Sequence, residues 1–544
     1  MTRSSRILKR GLLTVGVLAG FACALPATGL ASQQNVPVPS IPGAPTPPGP
    51  VAAAFTVPAT VGTLAVSPQT GVAGTPVTIT YQGLPANQSV SILWSTASNT
   101  WSVDGEQFTA DYMGRASTPE NVVLTTATTD ANGALNAKVD IPQDWGGLHT
   151  FYAVINGAEV ANGGFTVYRT ATISPKSGPI GTPITITYRG LGASLYEGGA
   201  ALLWDNKYVG ELASIWTRGT ATTVIRASGP VGVHSIQIGD AITYLYLNYQ
   251  QSPLPWINGA HFNFRVTPPK VTVKVKGKAR AKALAQALAK AENKLPPTRI
   301  DWPANVTPTD NQITTLDPTI QTASGVTASL STKYGQVGAP VTVSASGLAP
   351  NTTINLSWTT VVGSRVNCTG TCWVPQGTAL GTATTDAAGN LKAIVHVPDG
   401  LGGWHAIAIQ QDGQTEAQLP FNMVRSVVGV GAPRVVKEGH MFAVHLKGLG
   451  WTQFDNTIAV DYDNSYVGYG CGFNSNGDTL MYLRATGGPG IHLIDMYPML
   501  YTLSPSFANT PYGMTPYLTY AKDEPGLALG YRLPAIRLAI RVIR

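Results

Sequence analysis

Short runs of alternating apolar and polar residues recur along this chain, each bracketed by Gly and Pro. "VTITYQG" (77–83), "ITITYRG" (184–190), "VTVSASG" (341–347) and "MFAVHLKG" (441–448) all alternate with period two. Period two with β-branched residues predicts strands with one buried and one open face. The stretches ahead of the first two, "SPQTGVAGTP" and "SPKSGPIGTP", are turn chemistry. Pro sets φ, and Gly supplies the positive φ that other residues resist.

The four phrases fall into two pairs. Their closing glycines are Gly83, Gly190, Gly347 and Gly448, so the first and third lie 264 residues apart and the second and fourth 258. The first repeat continues "TATTDANGALNAKVDIPQDWGGLHTFYAV" and the third "TATTDAAGNLKAIVHVPDGLGGWHAIAI". The second carries "WDNKYVG" and "VIRASGPVGVHSI", the fourth "YDNSYVG" and "YLRATGGPGIHLI". Asp205 to His234 aligns with Asp463 to His492 at the constant offset of 258. An A–B unit has been copied to give A–B–A′–B′. Each repeat is long enough for several short strands, as a β-sandwich needs, and a core aromatic recurs on one of them: Trp94, Trp204, Trp358 and Tyr462. "TTDANG" and "TTDAAG" read as hairpin turns.

Two stretches break the β pattern. "VPVPSIPGAPTPPGP" (36–50) is a stiff polyproline-type spacer. "KARAKALAQALAKAENKL" (278–295) predicts a helix, stopped by "PP", with Ala281, Leu284, Leu288, Ala291 and Leu295 on one face. It either packs against a neighbouring domain or spaces the two halves.

Composition refines this picture. The chain has 544 residues, only 12% of them charged, with 59 Gly and 40 Pro. That supports several all-β domains rather than disorder. Residues 1–31 read as a signal peptide: Arg3, Arg6, Lys9 and Arg10, an apolar run, then small residues ending at Ala31. A retained membrane anchor and a lipoprotein acylated at Cys23 are the alternatives. The net charge of +7 misleads, because four charges belong to that segment. Residues 270–294 add eight basic residues and one acid, and 526–544 four arginines, leaving the rest near −8. The basic charge sits in short segments, so nucleic acid is not the expected partner.

The tail "YRLPAIRLAIRVIR" has three readings. As a helix it puts Arg537, Arg541 and Arg544 on one face, for weak contact with an anionic membrane surface. As a strand rich in Ile and Val it closes a sheet. As a docked segment it neutralises the protein's own acidic domains. Past the signal segment three cysteines remain. "CTGTC" reads as a small disulfide loop between Cys368 and Cys372, and Cys471 is left as a buried or a reactive thiol.

No nucleophile elbow, P-loop, "HExxH" or EF-hand loop is present, and neither a metal nor a cofactor is called for. His149, His234, His405 and His492 recur at one place in all four repeats. One recurrent His per repeat is too few for a metal site, and bonding to a neighbouring turn explains the recurrence. Asp205, Asn206, Tyr208, Arg226 and His234 return as Asp463, Asn464, Tyr466, Arg484 and His492. The structural explanation is a "DN" turn with an Arg–Asp pair tying two strands. The functional one is a polar pocket for a sugar or small anion, helped by Tyr244, Tyr246, Tyr249 and Trp256.

The turn-and-strand openings, the "TTDAxG" turns and the late "GxHxI" strands resemble bacterial Ig-like modules, including the IPT/TIG type. The resemblance spans four stretches within residues 60–520, and it departs from antibody domains in lacking the two cysteines of an inter-sheet disulfide. It implies an all-β chain of four tandem Ig-like sandwiches. The expected division is 1–31 signal peptide, 32–60 spacer, 61–168 domain A, 169–268 domain B and 269–324 basic helical linker. Domain A′ (325–425), domain B′ (426–521) and a basic tail (522–544) follow. Such modules in a row give reach, so the implied function is structural or adhesive at the cell surface or envelope. The implied partner is an envelope polymer, a glycan or another surface protein. A glycan-binding protein using the B-type pocket and a secreted hydrolase are the alternatives.

Overall fold

The computed structural model describes residues 46–106, 109–194, 197–239, 259–303, 322–363, 373–452, 455–472, 476–499, 515–523, 526–527 and 532–544. Among these, strands form eight sheets that pair into four sandwiches. In the first, a three-stranded sheet (Ala65–Ser67, Pro76–Tyr81, Leu135–Asp140) faces a larger one. The larger sheet runs in the order Gly62–Thr63, Ala158–Val167, Gly147–Ile155, Ser89–Glu106, Thr109–Thr128. The other three repeat this plan, and each has its own apolar core. The recurrent strands are half-buried as their pattern requires: Pro183–Arg189 and Met441–Lys447 bury every second residue. Trp94, Trp204, Trp358 and Tyr462 are buried in the four cores. The chain is all-β and immunoglobulin-like.

The "TTDA" turns have the expected chemistry but a different role. Asp130 Oδ1 accepts the backbone N–H groups of Asn132 and Ala134, and Gly133 has φ +73°. Yet the strands on either side, Thr109–Thr128 and Leu135–Asp140, belong to different sheets. The turn carries the chain across the sandwich and does not close a hairpin.

The predicted helix spans Ala279–Glu292. Leu284, Leu288 and Ala291 on its apolar face are half-buried. Asn293, just past its end, accepts a hydrogen bond from Arg541 at 3.0 Å. None of the described helices is long and apolar enough to cross a membrane.

Three expectations are corrected. First, the basic tail is no free segment. Ala535–Ile543 is a strand inside the large sheet of the fourth sandwich, antiparallel to Gly490–Pro498 and parallel to Val435–Lys437. Its Ile and Val residues fill the core, so the strand pattern wins over the helical spacing of its arginines. Second, the linker supplies a strand: Arg299–Asp301 pairs with Ala535–Arg537 at that sheet's edge. Third, the modules are not a simple row. Tyr497, Leu518, Tyr520 and Ala535 join the core of the second sandwich. Segment 515–520 lies against strand Lys207–Ala213, with bonds from Glu211 N–H to Pro516 O (2.9 Å) and from Leu518 N–H to Glu211 O (3.0 Å).

Candidate ligand-binding site

The site follows from two turns. Asp205 and Asn206 have φ of +50° and +61°, and Asp463 and Asn464 have +50° and +57°. Two consecutive positive φ values make a tight two-residue turn between antiparallel strands, and Asp and Asn tolerate them best after Gly. One carboxylate oxygen of Asp205 meets His234 Nδ1 at 2.6 Å and the other accepts the Ser235 N–H at 2.9 Å. Asp463 does the same with His492 (2.6 Å) and Leu493 (2.9 Å).

Each of these histidines bridges two turns. His234 Nε2 meets the Pro230 carbonyl at 2.7 Å, and His492 Nε2 that of Gly488 at 2.8 Å. The rings stack on Trp204 and Tyr462. For His492, burial opposes the charge, but Asp463 and the Gly488 carbonyl outweigh it and raise the pKa. The A-type histidines lack the carboxylate. His149 meets the carbonyls of Ser95 and Trp145, and His405 those of Thr359 and Leu401. Complete burial pushes His405 down to about 4. All four act as braces: His149 and His405 tie a turn to a central strand, and His234 and His492 tie two turns together. With both ring nitrogens engaged, none is placed to take a proton from a substrate.

The arginines do not pair with the turn aspartates. Arg226, 4% exposed, reaches into the fourth sandwich. It meets Asp495 at 2.7 Å and donates to the Leu538 carbonyl at 2.6 Å. Arg537 lies beside it, bonded to Asp301 (3.1 Å), Tyr497 (2.7 Å) and the Val224 carbonyl (2.9 Å). Asp461, Asp495 and Arg537 face one another in register across three strands. Burial, then the neighbouring Asp495, raises Asp461 well above the usual carboxylate range. Arg484, the copy of Arg226, is exposed and donates to the Gly439 carbonyl at 3.0 Å. The two arginines therefore do not share one pocket.

What does converge is the seam between the second and fourth sandwiches. The rings of Tyr208 and Tyr466, equivalent residues, meet at 6.4 Å, and Tyr208 also bonds Thr515. Asn464 donates to the Arg226 carbonyl (2.7 Å) and to Ser228 Oγ (2.9 Å), while Asn206 is exposed. A cleft of about 330 Å³ opens there, lined by Asp205, Lys207, Ser228, Asp463 and His492. Tyr244, Tyr246, Tyr249, Trp256, Cys368 and Cys372 lie outside the described residues. Cys471 is half-buried, and burial pushes its thiol up to about 11, against a reactive role. Among the described residues, no group of three or more His, Cys, Asp or Glu is placed to hold a metal.

Sequence reasoning missed the joints between successive sandwiches, although "GG" at 146–147 and 402–403 marked them. Gly146 N–H bonds the Leu191 carbonyl and Gly402 N–H that of Leu449, both at 2.9 Å. A Cβ on either Gly146 or Gly402 would fall 1.9 Å from the carbonyl oxygen of Gly190 or Gly448. Only glycine allows backbones this close. At the first joint, buried Asp144 also accepts from Trp94 Nε1 (3.0 Å) and Arg218 Nε (3.1 Å).

No family model and no curated protein matches the chain. Among solved structures, a putative membrane anchored protein from Corynebacterium diphtheriae is 12% identical, with 89% of this chain and 91% of that one covered, at a TM-score of 0.17. E. coli alpha-2-macroglobulin is 9% identical over 87% of this chain, at a TM-score of 0.15. This chain spans only 30% of the macroglobulin's length. The fibronectin(III)-like modules of Clostridium thermocellum CbhA are 13% identical over 39% of this chain and 99% of theirs, at 0.13. At such TM-scores these likenesses carry no argument, and the immunoglobulin-like description stands on the sheet pairing itself.

Proposed function

We propose that this is an exported, non-enzymatic scaffold protein with a structural or adhesive role at a cell surface or envelope, and that its modules are of the IPT/TIG type. The observation that carries the reading is the set of buried joints. Gly146 on Gly190, Gly402 on Gly448, and Arg226 with Arg537 across the seam fix neighbouring sandwiches against one another. Linked modules ordinarily move relative to one another unless their interface is large and well packed. A fixed array holds its loops and sheet edges at set spacings, which suits presentation and binding. The histidines, the residues best suited to acid–base work, are committed to bracing the fold.

The test is a pull-down of the purified protein with isolated envelope polymers and with intact cells, run beside hydrolysis assays on polysaccharide and peptide substrates. Saturable binding without turnover is the expected result. Turnover, or no binding to any envelope fraction, overturns the reading. Location is tested separately: cell fractionation with N-terminal sequencing should find the chain outside the cytoplasm, beginning near residue 32.

A further inference from the structure

The two joints are copies, and they differ in one respect that bears on binding. At the second joint Lys447 makes ion pairs with Asp399 and, at 3.9 Å, Asp478. Asp478 also meets His445 Nε2 at 2.5 Å. The cation is neutralised inside the joint. At the first joint the same positions read Arg189 for Lys447, Gln143 for Asp399, Thr220 for Asp478 and Thr187 for His445. Both carboxylates are gone. Gln143 Nε2 donates to Thr220 Oγ1 at 3.0 Å, so the substitutes satisfy each other. Arg189 is exposed and has no ion pair or side-chain hydrogen bond among the described residues.

The first joint also has room for a ligand. The first joint holds a cleft of about 250 Å³, lined among others by Gln143, Tyr168, Thr170 and Arg189. Tyr168 is 39% exposed, while its copy, Val424, is buried. One acid, Asp144, also lines the first cleft, but Arg218 and Trp94 already hold it. The cleft therefore offers an uncompensated guanidinium, the ring of an aromatic, an amide and a hydroxyl.

We propose that the cleft between the first and second sandwiches is a binding site for an acidic sugar unit. Its carboxylate pairs with Arg189, its ring lies against Tyr168, and its hydroxyls bond Gln143 and Thr170. A planar guanidinium is the side chain best matched to a carboxylate, and an aromatic face suits the apolar side of a sugar ring. The site goes beyond the scaffold reading. Its failure leaves that reading standing, because the envelope pull-down scores every surface of the protein.

The experiment is calorimetric titration of the full chain with a galacturonic acid trimer, its methyl-esterified form and inorganic sulfate. The acid trimer should bind, with the ester and sulfate each at least about tenfold weaker, as expected for loss of one charge-assisted contact or of the ring contacts. Arg189→Ala should lose at least about tenfold, and Gln143→Asp, which restores the second joint's carboxylate, should do the same. Arg484→Ala, an exposed arginine elsewhere, should bind as the parent does. Thermal melts should show all three variants folded, since each site is at the surface. Equal binding of acid and ester, or unchanged binding by Arg189→Ala, overturns the proposal. So does sulfate binding as tightly as the trimer, which reduces the cleft to an unspecific anion site, and so does the absence of any binding.

Discussion

Arg226 and Arg484 sit at the same place in two copies of one strand, yet one is buried in an ion pair and the other stands in solvent. The strands around them differ likewise. Thr220–Arg226 is covered on its outer side by segment 515–520 and the fourth sandwich: Thr223 Oγ1 donates to the Leu518 carbonyl at 2.6 Å. Thr479–Arg484 leaves its outer side open, with Leu480 48% and Tyr482 62% exposed. Duplication preserved the residues that make the sandwich: the Asp–His brace, the turn and the core aromatic. What a copied surface residue does was then decided by what covers it. A repeated constellation is thus evidence of shared fold before it is evidence of shared function.

The sharpest way to break this comparison is to truncate both arginines. Arg226→Ala leaves Asp495 buried and under-compensated, and should cost about 3–5 kcal/mol in denaturant unfolding of the full chain. Arg484→Ala should stay within about 0.5 kcal/mol. Equal losses would show that the two copies are equivalent after all. Next is Leu518→Ala, which opens a cavity in the second sandwich, about 2–4 kcal/mol by the same measurement. Little loss would mean that segment 515–520 merely rests on the sheet.

The histidines give opposite pH signs. His405 is held below its unfolded value, so its contribution is complete above pH 6.5 and fades as pH falls toward about 4, up to about 3 kcal/mol in all. His492 is held above its unfolded value, so its contribution is present in acid and fades as pH rises through the folded value. Histidine titration by NMR should show His405 as the low outlier and His492 above 6.5. Asp463→Asn should bring His492 down toward or below its ordinary value at a stability cost of about 1 kcal/mol. A His492 pKa that does not move would remove Asp463 as its cause.

Local features were legible where a residue's neighbours in sequence decide its geometry. The alternation of "ITITYR", the turn at Asp205 and Asn206, the helix at 279–292 and the bonding of the histidines to turns all belong to this class. Partners far apart in sequence leave no such mark. Nothing local says that Arg299–Asp301 will pair with residues 535–537, or that Leu518 will enter a core begun some 300 residues earlier. In "AIRLAIRVI" the period of the arginines fits a helix, but Ile536, Leu538, Ile540 and Val542 are buried in the fourth sandwich's core, while Ala535 and Arg537 are buried against the second. The Arg226–Asp495 pair is hidden for the same reason: Asp205 is the nearer acid in sequence, and the partner lies 269 residues on.

The seam also bears on how the molecule would respond to tension. In a string of independent modules, each sandwich gives way on its own and lengthens the chain one step at a time. Here the second and fourth sandwiches share Arg226, Arg537 and segment 515–520, so neither can be drawn out without tearing the other's contacts. Stretched in a single-molecule instrument, they should yield as one event with a doubled release of length. A protein wired this way stores less slack than a row of four and transmits load from one half of its chain to the other.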